Sequence, residues 1–440
     1  MFTSRLPMRQ WFRQHYRLVT GLLSLLLLAF SPSVPLWSAP AIPPNQSIPP
    51  FVHNLRFPRL ARVPTRTIIA GHAASDYWPA WSPDGNKIAF ISDRDGNPEL
   101  FLVNTDGTNL RQLTNNLLAP PVEGYFWDIE RPVWSPDGSV IAIGLSFCFT
   151  CHEGGHDYYY NKIYLISVHD GTATLLAEYA ARPVWSPDGS KILIEYPGNY
   201  TVQNHIFRVL DASSGAPLHR LAVDRIAPVW LPDSTRLLYA TSIVISDTYN
   251  SELFVVDVDG SNFTNLTNSV AHESLPQWSP DGSKIAYTAF EGQNNELYTM
   301  NADGSHITNL TNSPASEFAG MWSPDGARLA YLLYYGSPDC CIVSLHRMDA
   351  DGSNQVELVA SNVATVLRPT WSPDGSKILF AKYYSEDDTI ETNIIDSNGN
   401  HIATLDRPRS YNYFASATWS PTGDALAYVD EDDIYILGFE

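Results

Sequence analysis

The chain has 440 residues, 44% of them apolar and 12% aromatic, enough to bury one large core. Its 27 Lys and Arg face 47 Asp and Glu, a formal charge of −20 that repels nucleic acid and anionic membranes and favours cationic partners or metals. Four cysteines in this length exclude a disulfide-dense scaffold.

The first segment carries Arg5, Arg9, Arg13 and Arg17 and no acid. A largely apolar run, Leu18 to Phe30, follows, and then small residues containing Ala39-Pro40-Ala41. That is the layout of a secretory signal over residues 1–41, and the apolar run is short for a membrane span. Cleavage after Ala41 leaves 23 Lys and Arg against 47 acids, near −24. An uncleaved anchor is the alternative, and membrane contact is expected only in that case. Residues 42–64 continue a Pro-rich stretch without periodicity and read as a linker. The expected address is periplasmic or extracellular.

From residue 65 onward one mark recurs. Trp-Ser-Pro-Asp-Gly, or a close copy, begins at Trp81, Trp134, Trp185, Trp230, Trp278, Trp322, Trp371 and Trp419. The spacings are 53, 51, 45, 48, 44, 49 and 48 residues, a period that suits one four-stranded propeller blade. In the first repeat, Ser82-Pro83-Asp84-Gly85 is a tight turn, because Pro presets φ and Gly accepts φ > 0. Lys87 to Ser92 and Glu99 to Asn104 read as strands, Asp106-Gly107 as a hairpin turn, and Asn109 to Leu113 as the fourth strand. Proline stands two before the Trp at Pro79, Pro132, Pro183, Pro228, Pro276 and Pro369. It cannot donate to a ladder, so the Pro-x-Trp strand belongs on a free edge, lining the central channel. The Trp is expected to pack between blades. After Trp419 only two more strands fit, and Thr65 to Ala70 supplies the missing one. The expectation is an all-β, eight-bladed propeller over 65–440, its last blade closed by the N-terminal strand.

Ser92-Asp93-Arg94-Asp95-Gly96-Asn97 and Asn301-Ala302-Asp303-Gly304-Ser305 resemble the consensus of the TolB-type, WD-like propeller repeats. The resemblance covers roughly residues 65 to 440. It departs from TolB itself, which has six blades and a preceding α/β domain, so a role in the Tol envelope system is not carried over. Blade four has Leu231-Pro232-Asp233-Ser234 without the Gly, and blade eight has Thr422 in place of the Asp.

Strand order puts the Ser-Pro-Asp-Gly and Asp-Gly turns on one regular face. The second-to-third-strand loops and the blade connections lie on the other, variable face, where function is expected. Its densest stretch is in blade two. Tyr125, Phe126 and Trp127 lead into the blade, and the following loop holds Cys148, Cys151, His152, Glu153, His156, Tyr158, Tyr159 and Tyr160. Exposed aromatics beside carboxylates suit a protein, peptide or glycan; packed on each other they would only hold the loop down. Cys148-x-x-Cys151-His152 has the letters of a c-type haem site, but a single propeller loop offers neither a helical pocket nor a second axial ligand. Cys148, Cys151, His152 and His156 also suit zinc, and a local disulfide is the plain alternative in an oxidising compartment. Cys340 and Cys341 are adjacent, so a vicinal disulfide or an interchain bond is expected rather than cross-pairing.

Glu386-Asp387-Asp388 and Asp430-Glu431-Asp432-Asp433 occupy equivalent loops of blades seven and eight. Asp387, Asp388, Asp432 and Asp433 are calcium candidates, with a solvated rim as the plain reading. The position three before each Trp lies near the channel mouth: Trp78, Arg131, Arg182, Ala227, Leu275, Ala319, Arg368 and Ser416. Arg131, Arg182 and Arg368 could grip an anion or pair with neighbouring acids. The Asn-Leu-Thr triplets at Asn265 and Asn309 match a glycosylation acceptor, but their place at a strand end needs only a structural role.

No Gly-x-Ser-x-Gly occurs and no catalytic set assembles from sequence. The expected function is an exported, non-enzymatic propeller binding a protein, peptide or glycan, with no required cofactor. The alternative is a metal-assisted hydrolase or lyase at the channel mouth.

Overall fold

The computed structural model describes residues 65–117, 126–148, 159–196, 205–223, 228–245, 248–290, 292, 294–337, 340–360, 365–384, 389–405 and 417–439. Eight antiparallel sheets form a ring of blades. Blade one shows the plan: Asp76–Trp81 innermost, then Lys87–Ser92, Glu99–Asn104 and Arg111–Gln112 outermost. The Pro-x-Trp strand is the inner edge, as a strand with a missing donor requires. In blade eight Thr65–Ala70 pairs outside Asp433–Gly438, which pairs with Ala425–Asp430 and Thr418–Trp419. Both the blade count and the closing strand match the sequence.

In blades one, four and five the outer strand is only two residues long. Blade one keeps only Arg111–Gln112 and blade five only Thr308–Asn309. Short outermost strands blunt an edge that would otherwise pair with other chains. The inner strand of blade two is split into Phe126–Ile129 and Val133–Trp134, both paired to Val140–Cys148. In blades one, three, five and six the inner strand bulges at the same place. Its register slips between Tyr77 and Ala80, Ala181 and Val184, Ser274 and Gln277, and Phe318 and Met321. The bulged residues Trp78, Arg182, Leu275 and Ala319 have φ of 56°, 52°, 50° and 57°. An extra residue beside a donorless Pro kinks the strand and re-aims its side chains.

Each Ser-Pro-Asp-Gly turn is locked by its own side chains. Ser82 Oγ donates to Asp84 and accepts from the Lys87 amide at 2.9 Å, while Asn86 N donates to Asp84 Oδ1 at 3.1 Å. The Ser82 hydrogen bond, foremost, holds the Asp84 carboxyl down at about 2, so it stays ionised. The two departures are compensated. In blade four Ser234 takes φ of 64° in place of Gly, and its Oγ accepts the Asp188 amide at 2.9 Å. In blade eight Asp424 receives the Ser420 hydroxyl at 2.8 Å, two residues beyond the usual Asp.

The core lies between blades. Eight apolar clusters are found among the described residues, each spanning neighbouring blades. One joins Ile69, Val429 and Ile434 of blade eight to Ile88, Phe90 and Phe101 of blade one. The repeated indoles cross the same junctions. Trp134 Nε1 donates to the Ala80 carbonyl at 3.1 Å, and Trp81 Nε1 to the Thr418 carbonyl at 3.0 Å, closing the ring.

Candidate functional site

The bulge gives the mouth of the variable face its chemistry in blades one to three. Arg131 lies over the Trp78 indole, 5.8 Å from guanidinium carbon to ring centroid. Next to it Glu130 accepts the Arg182 amide at 2.9 Å, tying blade two to blade three. Glu130 fits only because Gly144 has no side chain; a Cβ there would stand 2.0 Å from its Oε2. Arg182 sends Nη1 to Glu195 at 3.1 Å, with the arginine side chain 66% exposed and the glutamate 3%. The backbone of Arg182 is therefore held from one blade and its head from another strand of its own. Tyr179 stands close by in sequence, 61% exposed at φ of 58°. A non-Gly aromatic in left-handed backbone is uncommon and costs energy, so its neighbours must impose it. Its amide donates to the Asn161 carbonyl at 2.6 Å. Exposed Val184 completes this stretch of inner strand. The arrangement offers flat apolar faces and guanidinium donors on rigid backbone.

Of the residues singled out in sequence, Trp78, Arg131 and Arg182 are thus placed in one contiguous row. Phe126, Trp127, Cys148, Tyr159, Tyr160, Cys340, Cys341 and Arg368 lie on strands, with side chains outside the described residues. Tyr125, Cys151, His152, His156, Tyr158, Asp387 and Asp388 lie outside the described residues altogether. Among the described residues, no three His, Cys, Asp or Glu side chains converge as a metal site.

The acidic run of blade eight is a two-residue hairpin turn, with Asp430 opposite Asp433 and Glu431 and Asp432 at φ of 48° and 68°. Its groups serve the ring closure. Asp430 binds Arg66 of the closing strand. Asp433 accepts the His72 amide at 2.9 Å, and the Asp432 carbonyl accepts the Asp76 amide at 2.7 Å. Arg94, in the consensus-like loop, is also structural: it grips the buried Asp76 carboxylate through two 3.0 Å bonds. Burial pushes Asp76 up, and Ser92 and Arg94 oppose it.

Sequence reading passed over a set of buried acids. Glu99, Glu252 and Glu296 lie on third strands, and each receives the hydroxyl of a threonine fifteen residues later: Thr114, Thr267 and Thr311. The same hydroxyls accept the amides of Leu100, Leu253 and Leu297 at 2.9, 3.1 and 3.0 Å. This is the structural role of the Asn-Leu-Thr triplets. The recurring Glu-Leu at fixed distance from Leu-Thr was the available signal.

The family description "TolB beta propeller domain" matches residues 60–243 and 209–337. The chain belongs to the TolB β-propeller family. A Bacillus subtilis (strain 168) protein described as uncharacterized peptidase YuxL is 41% identical over 69 residues, 16% of this chain and 9% of that relative. An uncharacterised Agrobacterium fabrum protein is 27% identical over 229 residues, 48% of this chain and 68% of its own length. The Tol-Pal system protein TolB of Blochmanniella pennsylvanica is 27% identical over 166 residues, 37% of this chain and 30% of that one. This TolB-type propeller thus matches under a third of the length of two of these relatives.

Proposed function

We propose that this TolB-type propeller is an exported, non-enzymatic binding protein that takes a protein, peptide or glycan on its variable face. The leader layout, four arginines ahead of Leu18 to Phe30, supports export. The carrying observation for binding is the row Trp78, Arg131 and Arg182, with exposed Tyr179 three residues before Arg182 in the chain. The scaffold holds both residues in place, yet Arg182 stays 66% exposed and Tyr179 61% exposed, so their side chains are presented rather than packed. Aromatic and arginine side chains on preorganised backbone are the usual anchors of a recognition surface. The surrounding charge is balanced, Arg131 and Arg182 beside Glu130 and Glu195, which favours polar and mixed ligands over bare polyanions.

The test is a screen of the purified protein on peptide and glycan arrays, followed by titration of any hit. Trp78→Ala and Arg182→Ala are each expected to weaken it about tenfold or more, and Lys87→Ala on the regular face to leave it unchanged. A ligand indifferent to both mouth substitutions and lost with Lys87 would place binding on the opposite face and sink the proposal.

A further inference from the structure

Position five before the repeat Trp lies on the inner strand or just ahead of it, against the third strand of the preceding blade. Among the described positions it is Asp76, Ile129, Ala180, Glu273, Glu317 and Val366. Asp76 has Arg94 as counter-charge. Glu273 and Glu317 face another carboxylate instead.

The two junctions are built alike. Between blades four and five, Asn250 Nδ2 donates to Glu252 Oε1 at 3.1 Å and to the Ser269 carbonyl at 2.8 Å. The Ser269 amide donates to Glu252 at 3.1 Å, and its hydroxyl to Glu273 Oε1. Thr267 Oγ1 stands between the acids, 2.6 Å from Glu252 Oε2 and 3.3 Å from Glu273 Oε2. Between blades five and six, Asn294 bonds Glu296 Oε1 at 2.7 Å, the Ser313 amide bonds it at 3.1 Å, and the Ser313 hydroxyl bonds Glu317. Glu273 and Glu317 are 2% and 1% exposed, and Glu317 Oε2 is buried without a partner.

The hydrogens decide what is missing. Thr267 has one hydroxyl hydrogen to share between the two acids, and its 2.6 Å contact to Glu252 Oε2 leaves the 3.3 Å contact to Glu273 Oε2 the weaker. Two ionised carboxylates at this depth would leave like charges buried with hydroxyls alone between them, a costly arrangement. A proton on Glu273 Oε2 removes one charge and supplies a donor to Thr267 Oγ1, which still accepts from Leu253. The same proton on Glu317 faces Thr311.

We infer that these two junctions are proton-operated clasps, each closed by one proton on the inner-strand glutamate of its carboxylate pair and loosened when that proton leaves. The connections 267–273 and 311–317 open onto the variable face, so the clasps bias its mobility with ambient pH.

The surroundings leave the pair to itself. Among the described side chains on the strands packed against Glu273, the charged or titratable groups are Glu252, Asp257, Arg236, Tyr239, Lys284, Tyr287 and Glu317. Those against Glu317 are Glu296, Tyr298, Lys284, Tyr287, Arg328, Tyr331, Tyr334, His272 and Glu273. Lys284 and Arg328 start their strands at the regular face, five residues before Ala289 and Leu333, the register partners of Glu273 and Glu317. That is about 17 Å away. Arg236 lies over Trp278, five residues beyond Glu273, and exposed His272 points to the other side of its strand. Burial first, then the facing Glu252 or Glu296, pushes Glu273 and Glu317 up to about 7 from an ordinary 4.5. A raised carboxyl pKa gives stability that is fully present below about 4.5 and lost as pH rises through about 7.

Amide exchange of the full chain, corrected for intrinsic rate, tests this at Ser269 and Ser313. Between pH 6 and pH 8 their exchange is expected to rise about tenfold or more relative to Leu100–Asn104. In Glu273→Gln/Glu317→Gln that rise should vanish. Should this variant fail to fold, Glu252→Gln/Glu296→Gln removes the facing charge and should also flatten the response. Equal corrected rates at both pH values in the wild type, or an undiminished rise in a folded variant, would overturn the clasps.

Discussion

Each recurring glycine answers a backbone need, but the needs differ in size. Gly171 and Gly96 both have left-handed backbone, at φ of 77° and 95°. A Cβ on Gly96 meets nothing within 4 Å, whereas one on Gly171 would stand 2.4 Å from the Leu113 carbonyl oxygen of the preceding blade. Gly96→Ala is therefore expected to cost about 1–2 kcal/mol, the strain of the backbone alone. Gly171→Ala adds an overpacking cost of about 1–3 kcal/mol, because the neighbour is main chain and cannot swing away. Urea denaturation of both variants reads the difference, and equal losses would mean the blades slide apart to admit the methyl. At this scale the sequence was legible wherever a turn repeats. Trp-Ser-Pro-Asp-Gly announces its own hydrogen bonds. It could not show that Gly171 is held by a carbonyl 58 residues away in sequence, since that contact exists only once blades stack.

The blade is the element in which local pattern and long-range pairing meet. Alternation, Pro-x-Trp and Asp-Gly correctly ordered the four strands. The bulge before Trp was not legible, because left-handed backbone at Trp78, Arg182, Leu275 and Ala319 follows no common residue type. The mouth residues were therefore identifiable by position but not by orientation. The threonine anchors show the reverse case, a visible repeat whose meaning needed the third strand. Thr311 Oγ1 both donates to Glu296 and accepts from Leu297, whereas Thr308, three residues earlier, is exposed and bonds only the His306 carbonyl. Thr311→Val takes the hydroxyl donor from a buried carboxylate and leaves the Leu297 amide unpaired, and should cost about 2–3 kcal/mol. Thr308→Val should stay within about 0.5 kcal/mol. Thermal denaturation that ranks the two equally would show that the stub is held by its backbone pairs rather than by the hydroxyl.

A ring gains its stability from having no free end, and here one six-residue strand decides that. Thr65–Ala70 pairs with Asp433–Gly438 through five register partners, buries Ile69 and Ala70, and anchors Arg66 on Asp430 and against the Tyr435 ring. Loss of that strand exposes an edge in blade eight and unroofs the cluster shared with blade one. It leaves blades two to seven with all their own contacts. The stacked architecture then predicts separable behaviour, since each blade touches only its neighbours. A chain starting at Pro64 should unfold in one transition close to that of the longer chain. A chain starting at Gly71 should unfold earlier, and proteolysis of it should begin in blade eight and blade one. Adding a synthetic Thr65–Ala70 peptide should restore part of the loss, because strand addition supplies main-chain bonds without new covalent linkage. Unchanged melting and cleavage on removal of 65–70 would mean that the Trp81–Thr418 bond and the turn ring, where Gly85 meets Pro421, suffice to close the propeller.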